Sequence, residues 1–110
     1  MRSTWRVFTD TTSAEKALKR IEKLTAEFSQ RAVDVAAAPY HKGGFIVSFH
    51  IEHSFDSWAE AVLEIVTLVQ LRGRRLELSA FVQEELDIFA ECSIPGITHI
   101  HCHCTRDEAT

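Results

Sequence analysis

Alternation of apolar and polar residues marks five segments of this chain. They are residues 5–10, 33–37, 45–52, 75–82 and 97–104. Successive side chains of a strand point to opposite faces of a sheet, so a two-residue period predicts a strand with one buried face. We therefore expect five strands, and the period is clear over residues 45–52.

Two longer segments have the spacing of amphipathic helices. Apolar residues recur every three or four positions over 13–30 and 57–72, as they do along one face of an α-helix. Each segment opens with a capping-box pattern, Thr12-Ser13-Ala14-Glu15 in the first and Ser57-Trp58-Ala59-Glu60 in the second. Gly73 is expected to end the second helix.

Residues 83–91 fit two elements equally well. Their apolar positions match one or two helical turns, and they also match a strand in which Leu86, Ile88 and Ala90 share a face. The pair Pro95-Gly96 then predicts a turn before the last strand.

The order of these elements is β-α-β-β-α-β followed by one more strand. This is the ferredoxin-like, split βαβ pattern, an α+β fold with an antiparallel sheet. Right-handed crossovers would place both helices on one face of that sheet. We expect a single domain over residues 1–104 and a polar C-terminal tail over 105–110. The face away from the helices is expected to carry Phe8, Ile46, His50, Glu52, Glu77, Ser79 and Phe81.

Composition and charge restrict the class of protein. The chain has 110 residues, of which 45% are hydrophobic and 25% charged, as in an ordinary globular domain and unlike a disordered chain. Its net charge is −4 and it has no basic stripe, so nucleic acid and anionic membranes are not expected partners. No apolar run approaches the roughly 18 residues of a membrane span, and the first residues lack the apolar core of a signal peptide.

One segment partly fits a nucleic-acid-binding signature. Residues 42–49 lie on the strand where RNA-recognition motifs carry their longer signature, and Lys42 and Gly43 agree with it. The two positions at which that family places base-stacking aromatic residues hold Gly44 and Ile46 instead. We therefore interpret the match as a shared fold pattern and do not expect RNA binding.

The cysteines indicate a reducing compartment. Three are present, so they cannot all pair within one chain. Cys102 and Cys104 are separated by one residue of an expected strand, which places them about 6.6 Å apart along it, too far for an unstrained disulfide. We therefore expect free thiols and a cytoplasmic location.

A run of histidine and cysteine in the last strand is the one feature that points to specific chemistry. His99, His101 and His103 share one face of this strand, and Cys102 and Cys104 share the other. Zinc needs three or four ligands, and the outer two histidines lie about 13 Å apart along the strand. The run can therefore supply two ligands from either face, which is at most half of a metal site.

Further ligands would have to come from a neighbouring strand or from a second subunit. His50 and Glu52, on the same expected face as the histidines, are the candidate donors, and the ion would be Zn, Cu or Ni. Two other interpretations stay open, an edge strand that binds no metal and a histidine cluster that responds to pH. No cofactor is therefore certain.

The chain shows no motif of an enzyme that can be identified by spacing. A nucleophile elbow, a phosphate-binding glycine loop and a dinucleotide fingerprint are all absent from the sequence. We expect a small non-enzymatic domain that acts by self-association, as a homodimer, or by binding a protein partner through Phe8, Ile46 and Phe81 on the open sheet face. Transition-metal binding by the last strand is the alternative. A weaker option is an enzyme or small-ligand binder with its cleft between the sheet and residues 83–96.

Overall fold

The computed structural model describes residues 1–54, 56–79 and 83–106 of the chain. These residues form an α+β fold with two helices and one open, six-stranded antiparallel sheet. In chain order the elements are β1 (Arg2–Thr9), α1 (Ala14–Thr25), β2 (Ala32–Pro39), β3 (Phe45–Glu52), α2 (Trp58–Arg72), β4 (Gly73–Leu78), β5 (Glu85–Cys92) and β6 (Ile97–Thr105).

The strand order is β2-β3-β1-β6-β5-β4, and each neighbouring pair is antiparallel. The predicted class, an antiparallel sheet with two helices, is therefore confirmed. The order is not a plain ferredoxin-like layout, because β4 and β5 extend the sheet beyond β6. The count of five strands was wrong, since residues 83–91 contribute a sixth.

Residues 83–91, which fit a helix or a strand equally well by their pattern, contribute to strand β5 because this segment pairs with a strand on each side. β5 lies between β4 and β6, and its residues Leu86, Ile88 and Ala90 are buried beneath the helices. The preceding strand, β4, begins at Gly73, where α2 ends, and it ends at Leu78. The expected strand over 75–82 thus runs four residues past this end, and residues 80–82 lie outside the described part of the chain.

The first helix differs from its prediction at both ends. Its N-cap is Ser13, whose Oγ accepts a hydrogen bond from the backbone N–H of Lys16 at 3.2 Å, so the capping box was placed one residue too early. The helix ends at Thr25 and does not continue to residue 30. Beyond it Phe28 turns back to pack against Trp5, with ring centroids 5.4 Å apart. That contact with the core ends the helical path.

The second helix ends at residue 72 as predicted and begins at Trp58, one residue after the predicted start. Ser57 is its N-cap, and the N–H of Gly73 donates to the carbonyl of Val69 at its C-terminus. A Cβ atom on Gly73 would lie 2.4 Å from that carbonyl oxygen, so only glycine permits this close approach. The chain then continues directly into β4 without an intervening loop.

The core lies on one face of the sheet, which we call the covered face. Both helices pack there, as predicted: α1 contacts β2 and β3, and α2 contacts β4, β5 and β6. Trp5 lies near its centre and stacks on Phe49, with ring centroids 5.7 Å apart. Burial of this apolar surface is the main stabilising contribution to the fold.

Each edge strand contains an irregularity. Between Val33 and Ala36 in β2, and between Arg74 and Glu77 in β4, two residues oppose one on the partner strand. Each of these bulges holds a non-glycine residue in the left-handed region, Asp34 with φ 56° and Arg75 with φ 55°. A bulge twists the strand and breaks the row of free backbone groups that another strand would need for pairing.

Candidate functional site

The face opposite the helices, which we call the open face, is covered by none of the described elements. Alternation along each strand determines which side chains it presents. From β3 across β1 and β6 to β5 they are Ile46, Ser48, His50, Glu52, Arg2, Thr4, Arg6, Phe8, His99, His101, His103, Glu85, Asp87, Phe89 and Glu91. This face combines aromatic side chains with many titratable groups, and it is where the predicted site residues lie.

Two of the three histidines of β6 contact carboxylates of β5. Nε2 of His101 is hydrogen-bonded to Oδ1 of Asp87, and Nε2 of His103 lies 2.6 Å from Oε1 of Glu85. Each contact runs diagonally between adjacent strands, since Asp87 is directly opposite His103 in the register. We call these four residues the histidine–carboxylate array. The array could not be predicted before β5 was known to be a strand beside β6.

His99 stands apart from this array. It is exposed, and among the described residues its ring has no hydrogen-bond or ion-pair partner. The strand order also separates the other proposed donors from β6, because β1 lies between β6 and β3. Nδ1 of His50 lies 3.2 Å from Oγ1 of Thr4, and Glu52 pairs with Arg2. Two strand spacings, about 9.5 Å, thus separate these two residues from the histidines.

The two cysteines of β6 lie on the covered face, as the alternation indicated. Cys102 and Cys104 are both fully buried in the core. Burial raises the pKa of the Cys102 thiol well above its usual value, and the neighbouring Cys104 raises it further. Within the described residues, no three His, Cys, Asp or Glu side chains converge as metal ligands would. The metal hypothesis therefore stays a prediction.

The candidate interface residues have different positions. Phe8 and Ile46 are half-buried and lie directly opposite each other on the open face. Phe81 lies outside the described residues. Phe89 was missed, although it is 42% exposed on this face and stacks on His101 with ring centroids 4.3 Å apart. Its position on the open face could be predicted only if residues 83–91 were known to form a strand, and the sequence pattern left that open.

A buried polar chain beneath the sheet was also missed. The indole N–H of Trp5 donates to Oγ of Ser3 at 2.8 Å, and the same Oγ lies 2.7 Å from Nε2 of His53. Nδ1 of His53 lies 2.6 Å from Oε1 of Glu64 in α2. The order of groups resembles a serine–histidine–acid relay, but Ser3 is fully buried and already accepts the indole N–H. These hydrogen bonds therefore orient buried side chains of the core.

One end of the open face forms a cleft of about 790 Å³, which we call the aromatic cleft. Its lining residues are Phe8, Thr9, Asp10, Tyr40, Lys42, Gly43, Gly44, Phe89, Thr98 and His99. The β2–β3 turn forms one wall and lies directly on the end of β1, since a Cβ on Gly44 would come within 1.9 Å of the Thr9 carbonyl oxygen. The cleft expected between the sheet and residues 83–96 does not form there, because β5 is itself part of the sheet.

Comparisons with protein-family models, with curated proteins and with solved structures found no significant match to this chain. Neither described helix has the length and hydropathy needed to cross a membrane. Function is therefore inferred from the geometry of the open face.

Proposed function

We propose that this protein is a non-enzymatic binding domain that self-associates through its open face, with a second copy of the chain as the occupant. One observation carries the proposal: the uncovered sheet face presents Phe89, 42% exposed, together with the half-buried Phe8 and Ile46. Aromatic residues are enriched in the buried centres of protein interfaces, where they contribute a large apolar area.

The charges of the open face favour coverage by another surface. His101 and His103 each contact a carboxylate of the same chain, so when protonated they are neutralised in place. Covering a paired charge costs less than covering an isolated one. Arg6 and Glu77 have no ion-pair partner among the described residues, and a symmetric second copy can supply each with the opposite charge.

The edges of the sheet support association through the face. Both edge strands carry a bulge, at Asp34 and at Arg75, which interrupts the backbone groups needed for strand addition. A sheet whose edges are interrupted in this way is better suited to association through its open face than to strand addition at its edges.

The test is the oligomeric state of the full chain by sedimentation velocity over a range of concentrations. We expect a dimer for the wild type and a monomer for Ile46→Asp, because a buried unpaired carboxylate opposes the interface. Leu63→Asp is the matched control: Leu63 is 69% exposed on α2, away from the open face, so this variant should remain a dimer. A monomeric wild type, or a dimeric Ile46→Asp, would exclude self-association through this face.

A second candidate function is binding of a transition metal, Zn, Cu or Ni. It is favoured by the adjacency of the four array residues, whose imidazole and carboxylate groups suit these ions, and by Asp87 lying directly opposite His103. Metal analysis of untagged protein and a melting curve with each ion test it. Near-stoichiometric metal that is lost in His101→Ala supports the site, whereas metal-free protein with an unchanged melting temperature excludes it.

Two further properties belong to the same proposal. Strands β2-β3-β1-β6 with the two helices fit a ferredoxin-like core, to which β4 and β5 are added at one side. Cys92, Cys102 and Cys104 form no disulfide with one another, which fits a reducing, cytoplasmic setting.

A further inference from the structure

We propose that the aromatic cleft binds a small aromatic zwitterion, of which a free aromatic amino acid is the simplest example. The proposal does not require self-association, since it depends on the walls and charges at one end of the open face. Phe8 and Phe89 belong both to this cleft and to the surface proposed for the second copy, so ligand and second copy would compete for them. The volume of about 790 Å³ lies within the range of small-molecule sites.

The walls suit a flat ring. Phe8 and Tyr40 meet edge to face, with centroids 5.4 Å apart, and they form one side of the cleft. Phe89, supported from beneath by its stack on His101, lines the cleft as well. Aromatic rings that meet in offset or edge-to-face geometry gain energy beyond the area that they bury.

Two side chains of the cleft carry opposite charges that no described residue of the chain neutralises. Among the described residues, neither the Lys42 ammonium nor the Asp10 carboxylate has an ion-pair or hydrogen-bond partner. The Tyr40 hydroxyl has no hydrogen-bond partner there either. A ligand with one carboxylate and one ammonium group can satisfy both charges, whereas an anion or a cation alone leaves one of them unmatched.

The rim of the cleft is held in place before any ligand arrives. In the β2–β3 turn the N–H of Tyr40 donates to the carbonyl of Gly44 at 3.0 Å. The N–H of Gly43 donates to the carbonyl of Tyr40 at 2.9 Å. On the other side the N–H of Asp10 donates to the carbonyl of Gly96 at 3.1 Å, and Oγ1 of Thr98 donates to the carbonyl of Phe8 at 3.1 Å. A preformed site loses less conformational entropy on binding.

The experiment is an NMR titration of the ¹⁵N-labelled full chain with four probes. L-Phenylalanine has the ring and both charges, phenylacetate lacks the ammonium, phenethylamine lacks the carboxylate, and L-leucine lacks the ring. We expect L-phenylalanine to bind most tightly and to shift the amides of Asp10, Gly43, Gly44 and His99. Equal affinity for all four probes, or shifts centred outside the cleft, would overturn the proposal.

Two conservative variants assign the charges. Lys42→Gln should weaken the binding of L-phenylalanine by up to about fivefold, the effect of one exposed ion pair, and leave the binding of phenethylamine unchanged. Asp10→Asn should weaken the binding of L-phenylalanine to a similar degree and leave the binding of phenylacetate unchanged. If either variant weakens the binding of all probes equally, the pairing of Lys42 with the ligand carboxylate and of Asp10 with the ligand ammonium is wrong. Both residues are exposed, so neither substitution is expected to disturb folding.

Discussion

At the scale of single residues, Ser3 connects two parts of the core. Its hydroxyl accepts the indole N–H of Trp5 and is hydrogen-bonded to His53, which in turn contacts Glu64 of α2. The His53 side chain is fully buried and that of Glu64 is 11% exposed, so water cannot replace these partners. A buried polar group that loses its partner costs more than the hydrogen bond contributed.

Ser3→Ala is therefore expected to lower the free energy of unfolding by about 1–3 kcal/mol, because it leaves both the indole N–H and the imidazole nitrogen unpaired. Urea denaturation measures the change. Ser93→Ala, at an exposed serine, is the matched control and should stay within about 0.5 kcal/mol of wild type. A loss of unfolding free energy no larger than that of the control would mean that the buried hydrogen bonds of Ser3 do not stabilise the protein.

The buried thiol of Cys102 predicts a pH dependence. Its pKa is raised well above the usual value by burial, while the unfolded chain ionises it near the ordinary value of about 8.5. The stability that this group contributes is therefore fully present below pH of about 8.5 and is lost as the pH rises further, because the unfolded state then binds fewer protons than the folded state.

Unfolding free energies measured between neutral pH and pH of about 10 check this expectation. We expect a decline above pH of about 8.5 in the wild type and a shallower decline in Cys102→Ala, which lacks the group. The comparison uses the slope with pH, since the alanine variant is less stable at every pH through its cavity. Identical slopes would show that Cys102 does not cause the decline.

At the scale of elements, the N-terminus of α1 shows a difference between the cap predicted from the sequence pattern and the cap that the structure has. The sequence pattern indicated Thr12 as the cap, but the backbone N–H of Lys16 is bonded to Oγ of Ser13. Thr12 accepts only the exposed ammonium of Lys16. Ser13→Ala is expected to cost about 1 kcal/mol of stability, and Thr12→Ala only a few tenths. Thermal or urea denaturation of both variants decides which residue caps the helix, and equal losses would contradict the assignment.

Local periodicity was sufficient to predict both helices and most of the strands. It could not decide residues 83–91, because Leu86, Ile88 and Ala90 suit either element until β6 is placed beside them. The end of α1 was missed for the same reason, since the packing of Phe28 on Trp5 lies far along the chain from the helix itself. Pairing and packing between distant residues override local preference.

The candidate site was predictable only in part. Alternation placed His99, His101 and His103 on one face and the cysteines of the same strand on the other, which agrees with the structure. Their neighbours depend on strand order, which no local pattern contains. The contacts of His101 and His103 with β5, in place of an approach to His50, are a consequence of that order.

At the scale of the whole molecule, the central strands are the most constrained. β1 and β6 pair on both sides and contribute Trp5, Val7, Ile100 and Cys102 to the core, whereas β2 and β4 pair on one side only. Native-state hydrogen exchange should therefore be slowest in β1 and β6 and fastest among the strands in β2 and β4. Protection of β2 or β4 equal to that of β1 would contradict this order.

The paired bulges at Asp34 and Arg75 bear on how large an assembly can become. A sheet with free, straight edges can add copies without limit and grow into a fibre. Here both edges are interrupted, and a face-to-face pair leaves no equivalent surface for a third copy. The face-to-face pair that we propose would therefore close at two copies, and raising the protein concentration should increase the fraction of dimer without producing larger species.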